Sequence, residues 1–317
     1  MYDIVCAGIA TWDTLFTGVS HDLMDMDGLT AEGYVSASGG DAVNAGISLG
    51  KLKCKTAVMG CVGDDSDANR IEDDLKAARA DPYLFKDKQI HTAAPVLLID
   101  EHGERHIIRV PHNGNACFCR KMMKDDVLFS TRHLHIASVN MLPKLDGAPL
   151  ARLFKEAHEH GITTSMDASG DRSGEWFNKI KDVLPHCDIF IPSLQEARMY
   201  AGTDDIQAIV RFFQRFPLKY FGVKLGARGI YVTDFHHEYT LPSLYEGTPV
   251  DTTGAGDAFF AGFLAGYLKG YDLRSCALIG SAQSALIMRS YGANVSAGTW
   301  EDVMKLLEEK DESVSKQ

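Results

Sequence analysis

The sequence has little positive charge, no long apolar run and no regular spacing of its cysteines. Its 32 Lys and Arg residues are outnumbered by 43 Asp and Glu residues, which gives a formal net charge of −11. This balance argues against nucleic acid as a partner, because phosphate backbones bind clustered basic side chains. No stretch reaches about 18 consecutive apolar residues and no basic leader opens the chain, so we predict no membrane partner.

The seven cysteines are odd in number and scattered along the chain. This pattern favours reduced thiols in a cytoplasmic protein over a disulfide framework. Cys117 and Cys119 lack a second pair at zinc spacing, which argues against a zinc site. No Gly-x-x-x-x-Gly-Lys-Ser/Thr loop occurs, and no Gly-x-Gly-x-x-Gly follows the first predicted strand. A dinucleotide-binding enzyme is therefore disfavoured, and any phosphate must be bound by another glycine-rich turn.

Strands and helices alternate after about residue 130. Strands are predicted at 133–137, 163–166, 188–191 and 220–225, with helical segments between them. Such alternation is typical of a mostly parallel, doubly wound α/β sheet with helices on both faces. We predict one domain over residues 1–317.

Four earlier strands do not fit this alternation. They are predicted at 15–19, 34–37, 94–99 and 105–110, and the last two form a hairpin. We expect a small β-sheet inserted within about 12–38 and 83–116. Set over the carboxyl ends of the main strands, where such folds bind ligands, it would act as a lid that excludes water.

The segment 251–257, Asp-Thr-Thr-Gly-Ala-Gly-Asp, runs directly into an apolar helical stretch. Gly254 and Gly256 allow the backbone to approach a ligand closely, and the first helical turn offers N–H groups to an anion. Asp257 at this junction could take a proton from a hydroxyl group. The N–H groups of Gly254, Ala255 and Gly256 could then stabilise charge on a phosphoryl group. The alternative is a plain helix N-cap, because Asp caps helices well.

A second glycine-rich turn, Gly39-Gly40, follows a predicted strand and precedes a helical segment. Paired glycines form a tight turn that lets the backbone approach a polyol. Asp41 and Asn44 carry short polar side chains suited to vicinal hydroxyl groups. The alternative here is a structural glycine turn without a ligand.

These two motifs resemble the two signatures of the ribokinase-like (PfkB) carbohydrate kinases, and the similarity covers nearly the whole chain. The later motif fits at every position of 251–264, whereas the earlier one departs at Gly46 and Lys53. The resemblance implies a ribokinase-like fold in which the lid covers a sugar, with Asp257 as the catalytic base. It also implies a sugar site made of Asp13, Gly39, Gly40, Asp41, Asn44 and Asn140.

The same resemblance implies a nucleotide and metal site. Glu196 matches an acid that would hold Mg²⁺ through water, but Ser193 replaces the family's Asn. A Ser-x-x-Glu pattern is also typical of a capping box, so a structural role for both stays open. Asp251 would hold a monovalent cation such as K⁺. The residues implied to bind the nucleotide are Ser193, Lys224, Gly226, Gly229 and Gln283.

From these motifs we predict an ATP-dependent phosphotransferase that acts on a hydroxyl group, most simply a primary one, of a small sugar or sugar derivative. ATP and Mg²⁺ are the implied cofactors, and the lid is the implied site of a homodimer. One alternative is a nucleoside kinase of the same fold. Another is a catalytically weak sugar- or nucleotide-binding sensor, which the replacements at Ser193 and Lys53 suggest.

Overall fold

The computed structural model describes residues 1–100, 105–111 and 113–316. The strands are β1 (Tyr2–Ala7), β2 (Thr11–Val19), β3 (Gly33–Gly39), β4 (Thr56–Gly63), β5 (Ala80–Asp87), β6 (Val96–Asp100), β7 (Arg105–Ile108), β8 (Thr131–Val139), β9 (Thr163–Ala168), β10 (Ile189–Phe190), β11 (Tyr220–Lys224), β12 (Ile230–Thr233) and β13 (Glu238–Leu241). The α-helices are α1 (Asp41–Lys51), α2 (Ser66–Ala77), α3 (Gly114–Cys117), α4 (Asp125–Leu128), α5 (Ala148–Glu159), α6 (Phe177–Ile180), α7 (Leu194–Ala201), α8 (Ile206–Phe213), α9 (Ala255–Leu268), α10 (Leu273–Ile287) and α11 (Trp300–Glu309).

Nine strands form a large sheet in the order β13-β12-β11-β10-β9-β8-β1-β4-β5. The seven strands from β11 to β5 are parallel, and the β12–β13 hairpin extends one edge through two antiparallel pairings, β11–β12 and β12–β13. Every residue of β4 is buried, as expected for a parallel strand covered on both faces. The prediction of a mostly parallel α/β sheet is confirmed.

Helices cover both faces of this sheet. Val58 and Val62 of β4 pack in one apolar cluster with α1, α2, α9, α10 and α11. Met59 and Cys61, which point the other way, pack in a second cluster with α5, α7 and α8. Because side chains alternate along a strand, these two clusters lie on opposite faces, and the sheet is doubly wound.

A small sheet has the order β3-β2-β6-β7. Its β2–β3 and β6–β7 pairs are antiparallel, whereas β2 and β6 run parallel. The hairpin predicted at 94–99 and 105–110 is present, and the connection at 101–104 lies outside the described residues. The range 83–116 expected for the insertion begins within β5, which is an edge strand of the large sheet.

The order of the strands locates the crevice where a ligand can bind. From β1 the chain moves outward through β4 to β5, and from β8 it moves in the opposite direction through β9 to β11. This reversal between β1 and β8 opens a crevice at the carboxyl ends of the strands, the usual ligand site of open α/β sheets.

No helix among the described residues is long and apolar enough to cross a membrane.

Candidate active site

Helix α9 starts at the predicted glycine-rich turn. Gly254 has φ +77°, and a Cβ atom there would lie 2.2 Å from the carbonyl oxygen of Ala293, so only glycine fits. The N–H of Ala255 donates to the Thr252 carbonyl at 3.2 Å. In the described part of the chain, the N–H groups of Gly254 and Gly256 have no acceptor. Two of the three predicted N–H groups are therefore available to an anion.

Asp257 lies in the first turn of α9, and its carboxylate accepts a hydrogen bond from Asn44 Nδ2 at 2.8 Å. Asn44 Oδ1 in turn accepts from Asn294 Nδ2 at 2.9 Å, and Asn294 also donates to the Ser38 carbonyl at 2.8 Å. This chain of hydrogen bonds joins the two glycine-rich motifs. Asn44 therefore contacts the candidate base directly.

The protonation of Asp257 is tuned by its surroundings. Burial raises the pKa of Asp257 well above its ordinary value, and the negative charge of Asp41 raises it further, while the hydrogen bond from Asn44 opposes both. Asp167 adds to the increase and Lys224 counters it. A carboxylate with a raised pKa in a cleft is a stronger base than an ordinary one, as proton abstraction requires.

Asp41 is held by two serines from neighbouring strand ends. Its Oδ2 atom accepts hydrogen bonds from the hydroxyl groups of Ser138 and, at 2.8 Å, Ser169. Ser138 has φ +65° at an irregularity in the β8–β9 pairing, and such strained residues often occur at functional sites. The Oδ1 atom of Asp41 has no partner among the described residues, which leaves it free for a substrate hydroxyl.

Asp13 approaches the same crevice from the small sheet. Its Oδ1 accepts from Thr11 Oγ1 at 2.6 Å, and its Oδ2 lies against Gly39, where a Cβ atom would come within 2.1 Å. Burial raises the pKa of Asp13 to about 6, in spite of the Thr11 hydrogen bond. Asp13 and Thr253 line one small cavity, so the small sheet and the glycine-rich turn before α9 meet there.

Asn140 lies beside this cluster at the end of β8, with φ +85°. Its Nδ2 donates to the Ser169 carbonyl at 3.0 Å and to the Tyr200 hydroxyl at 2.6 Å. Its Oδ1 is buried without a partner in the described chain. Both amide donors are thus used within the protein, and a substrate contact of Asn140 stays a prediction.

A larger cavity of about 280 Å³ lies on the other side of the α9 N-terminus. Predicted residues Lys224, Gly226, Gly229, Ala255 and Gly256 line it. Its apolar lining includes Ile230, Leu244, Tyr245, Phe259 and Met288. A cavity with an apolar interior and N–H groups at one end suits a nucleotide base with attached phosphates.

Gln283 does not line this cavity. The side chain is completely buried in α10 and donates to the Gly298 carbonyl at 3.3 Å. Its neighbours Ser281 and Ser284 line the cavity instead. Helix α10 thus borders the cavity with side chains other than the predicted Gln283.

Lys224 forms an ion pair that sequence reasoning missed. Its Nζ lies 2.8 Å from both carboxylate oxygens of Asp167. Burial alone would lower the pKa of Lys224, but the charges of Asp167 and Glu196 raise it on balance. A Cβ atom at Gly256 would lie 3.3 Å from Lys224 Nζ, so the ammonium group also borders the anion-binding turn.

Glu196 and Asp251, the acids predicted to bind metal ions, both accept hydrogen bonds from backbone N–H groups. Ser193 and Glu196 form a full capping box at the start of α7, with the Ser193 N–H donating to Glu196 Oε2 at 2.7 Å. Asp251 accepts from the N–H groups of Thr253 at 2.8 Å and Gly292 at 3.1 Å. The capping box that was the structural alternative is therefore formed. The Oε1 atom of Glu196 has no partner within the described ranges.

Comparisons with known proteins agree with this architecture. An ATP-dependent ribose-1-phosphate kinase from Halopiger xanaduensis is 29% identical over 317 residues, covering 98% of this chain and 99% of the relative. A nucleoside kinase from Methanocaldococcus jannaschii is 24% identical over 271 residues, covering 85% of each chain. The crystal structure of a putative ribokinase II from E. coli in complex with ATP and Mg²⁺ has a TM-score of 0.85 at 18% identity, covering 98% of this chain and all of that one.

The large sheet, the small sheet and the crevice between them define a ribokinase-like fold, as the structural match confirms. Residues 1–300 match the family model described as pfkB family carbohydrate kinase. The chain belongs to this family, which confirms the resemblance that its two glycine-rich motifs carry.

Proposed function

We propose that this protein transfers the γ-phosphoryl group of ATP to a hydroxyl group, most simply a primary one, of a small sugar or sugar derivative. The observation that carries the proposal is the position of Asp257. Its carboxylate lies between the sugar-side acids and the nucleotide-side cavity, next to unpaired N–H groups at the start of α9. A base, an anion-binding turn and a nucleotide cavity in this order are what phosphoryl transfer needs.

The hydrogen bonds of Asp257 suggest how the reaction proceeds. Oδ2 is held by Asn44, which leaves Oδ1 to accept the proton of the substrate hydroxyl. The hydroxyl oxygen then attacks the γ-phosphorus in line, and the bond to the β-phosphate oxygen breaks. The N–H groups of Gly254 and Gly256 stabilise the charge on the transferred group, and Lys224 lies beside them.

The residues present fit ATP and Mg²⁺. The apolar cavity accepts a base, and Lys224 lies at its phosphate end. Glu196 keeps one carboxylate oxygen free for a metal-bound water. Bound Mg²⁺ would neutralise charge on the β- and γ-phosphates. Asp251, whose carboxylate has lone pairs beyond its two N–H contacts, is our candidate for binding a monovalent cation such as K⁺.

A nucleoside kinase is the second candidate. The relative from Methanocaldococcus jannaschii, a nucleoside kinase, supports it. A third reading, the catalytically weak sensor, is opposed by the intact arrangement of Asp257 and the N–H groups of the α9 turn. The two kinase readings differ only in the acceptor, so an acceptor screen separates them.

We also propose that the protein forms a homodimer through the outer face of the small sheet. Tyr34, Phe16 and Leu98 are aligned across β3, β2 and β6, on the face away from the crevice. Tyr34 is 63% exposed, and Ile108 of β7 is 57% exposed. Such an exposed apolar patch on a sheet favours association.

All seven cysteines are unpaired, which supports a reducing, cytoplasmic location.

The test is an ATP-consumption screen over sugars, sugar derivatives and nucleosides, followed by kinetics of Asp257→Asn. This variant keeps the size and the Asn44 contact but loses the base, so we expect kcat to fall on the order of 10²–10⁴-fold. Asp126→Asn, an exposed acid in α4, is the matched control and should keep its activity. Near-normal kcat in Asp257→Asn would rule out this carboxylate as the base.

A further inference from the structure

Two histidines and an aspartate gather on the small sheet, outside the crevice. Asp100 ends β6, and His106 of β7 pairs in register with Leu98 of β6. Because side chains alternate along a strand, Asp100 and His106 both lie on the face of the sheet that carries Leu98. This is the face away from the crevice, so the cluster is separate from the candidate active site.

A β-bulge precedes the third residue of the cluster. The register of β2 on β6 shifts at Gly18, which has φ +66°. Such a bulge bends its strand and changes the direction of the chain that follows. His21 follows three residues later, and its Nδ1 atom lies 3.9 Å from Asp100 Oδ2. The cluster thus joins the segment after β2 to β6 and β7.

The three side chains present ligand atoms to one point. His106 Nε2 lies 3.2 Å from Asp100 Oδ2, and one ligand atom of each residue lies within 4.8 Å of the other two. In a tetrahedral zinc site with bonds of about 2.0–2.1 Å, ligand atoms are about 3.3 Å apart. His106 and Asp100 already have this spacing, and the exposed ring of His21 needs a small rotation to reach it. No other group of three His, Cys, Asp or Glu side chains in the described ranges comes this close together.

The burial of Asp100 favours a cation at this point. Its side chain is 3% exposed, whereas those of His21 and His106 are 68% and 48% exposed. Buried carboxylates are paired with a cation or coordinate a metal. An imidazole brings positive charge only when it is protonated, but a divalent cation brings charge and binds the neutral rings. The exposure of both rings gives the cation a path from solvent.

We propose that His21, Asp100 and His106 bind a divalent cation of the zinc type. Two imidazole nitrogens and one carboxylate oxygen suit Zn²⁺, Co²⁺ or Ni²⁺, whereas Mg²⁺ prefers oxygen ligands throughout. The site therefore selects against the Mg²⁺ that accompanies ATP, and water fills its open coordination position. The cation links the segment after β2 to the β6–β7 pair and so stabilises the small sheet. This inference does not depend on the proposed kinase function.

The test is a Zn²⁺ titration of the reduced, metal-free protein against a chromophoric chelator, with excess Mg²⁺ and without ATP. We expect one Zn²⁺ per chain. His21→Gln and His106→Gln should each weaken binding by at least about 10–100-fold, since removing even an outer partner of a metal ligand costs that much. His237→Gln is the matched control, because His237 Nδ1 lies 3.1 Å from Asp234 Oδ2 without a third ligand in the described chain. Absence of Zn²⁺ binding, or equal affinity in the wild type and both cluster variants, would overturn the inference.

Thermal unfolding checks that the cluster variants fold and that the cation stabilises the protein. Without metal, both variants should unfold at the wild-type Tm, because the substituted rings are exposed. Zn²⁺ at 100 times its Kd should raise the wild-type Tm by about 4 °C and raise that of the variants less. An equal rise in the variants would contradict binding at this cluster.

Cobalt spectroscopy identifies the ligand atoms. The seven unpaired cysteines are the competing ligands, and a thiolate ligand gives Co²⁺ an intense charge-transfer band in the near ultraviolet. Bound Co²⁺ should show the weak visible bands of nitrogen and oxygen ligands without that band. An intense thiolate band would assign the metal to cysteines and overturn the inference. None of these measurements requires turnover, so they stand apart from the test of the kinase function.

Discussion

The ion pair between Lys224 and Asp167 can be tested by removing one partner and then both. Lys224 Nζ is 2.8 Å from each oxygen of Asp167, and the two side chains are only 17% and 6% exposed. Lys224→Met leaves the carboxylate buried and unpaired. Breaking a buried pair in this way costs about 3–5 kcal/mol. Because Lys224 keeps some contact with water, we expect the lower value, roughly a 4–5 °C fall in Tm for a chain of this size.

The loss should depend on pH in a defined direction. Burial raises the pKa of Asp167, and Lys224 opposes that increase in the native protein. Without the lysine, the folded-state pKa of Asp167 lies further above its unfolded value. The destabilisation is therefore largest well above that folded-state pKa and disappears as the carboxyl becomes protonated in acid. Urea denaturation of the wild type and Lys224→Met between pH 8 and pH 5 measures this convergence.

The double variant Lys224→Met/Asp167→Asn separates the structural role of the lysine from a role in binding phosphate. With the buried charge removed, most of the lost stability should return. If Lys224 also contacts the nucleotide phosphates, KM for ATP should stay raised in the stable double variant. A single variant as stable as the wild type at pH 8 would refute the reasoning about the pair. Recovery of both stability and KM for ATP would restrict Lys224 to a structural role.

Two further predictions concern the sugar and metal sites. Asp13→Asn should weaken acceptor binding by about 1.5–3 kcal/mol, the value of a hydrogen bond to a charged group, with little effect on ATP binding. Calorimetric titration with each ligand measures both affinities. Equal losses of affinity for the acceptor and for ATP would contradict a substrate role of Asp13. Ser193→Asn should lower the Mg²⁺ concentration for half-maximal rate, because the longer amide reaches metal-bound water. Glu196→Gln should raise that concentration, because the lost charge no longer attracts hydrated Mg²⁺. If the Mg²⁺ dependence of both variants is unchanged, Ser193 and Glu196 have only the structural role of a capping box.

Elements with a strong local pattern were predictable from the sequence. The strands predicted at 163–166 and 220–225 begin at the same residues as β9 and β11. Helices α7 and α11 each begin at a Ser/Thr-x-x-acid pattern. Capping boxes at Ser193 and Thr299 explain why these two helices begin where they do. By contrast, β5 was not predicted, because Asp81 and Pro82 disfavour strands. Pro82 is tolerated because β5 is an edge strand of the large sheet.

The positions of candidate site residues could be predicted where they depend on the local backbone. The turn at Gly254 and the position of Asp257 at the start of α9 follow from a few adjacent residues. Asp167 could not be assigned in this way, because its partner Lys224 lies 57 residues later. The only signal was an acid near the carboxyl end of an apolar strand, β9. Gln283, the predicted nucleotide contact, does not line the cavity. Packing sets the rotation of α10 about its axis, and sequence spacing does not determine that rotation.

The hydrogen-bond chain around Asp257 has a consequence for how the protein is made. Asn44 and Asp257 are 213 residues apart, and Asn294 contacts Asn44 across 250 residues. A ribosome therefore releases the early strands and helices long before Asp257, the candidate base, and Asp257 before Asn294, which bonds to Asn44. Contacts between such distant residues form late in folding, because long loops must close first. Catalytic competence would thus appear only when nearly the whole chain has been synthesised and folded, and a nascent or truncated chain would consume no ATP on the sugar.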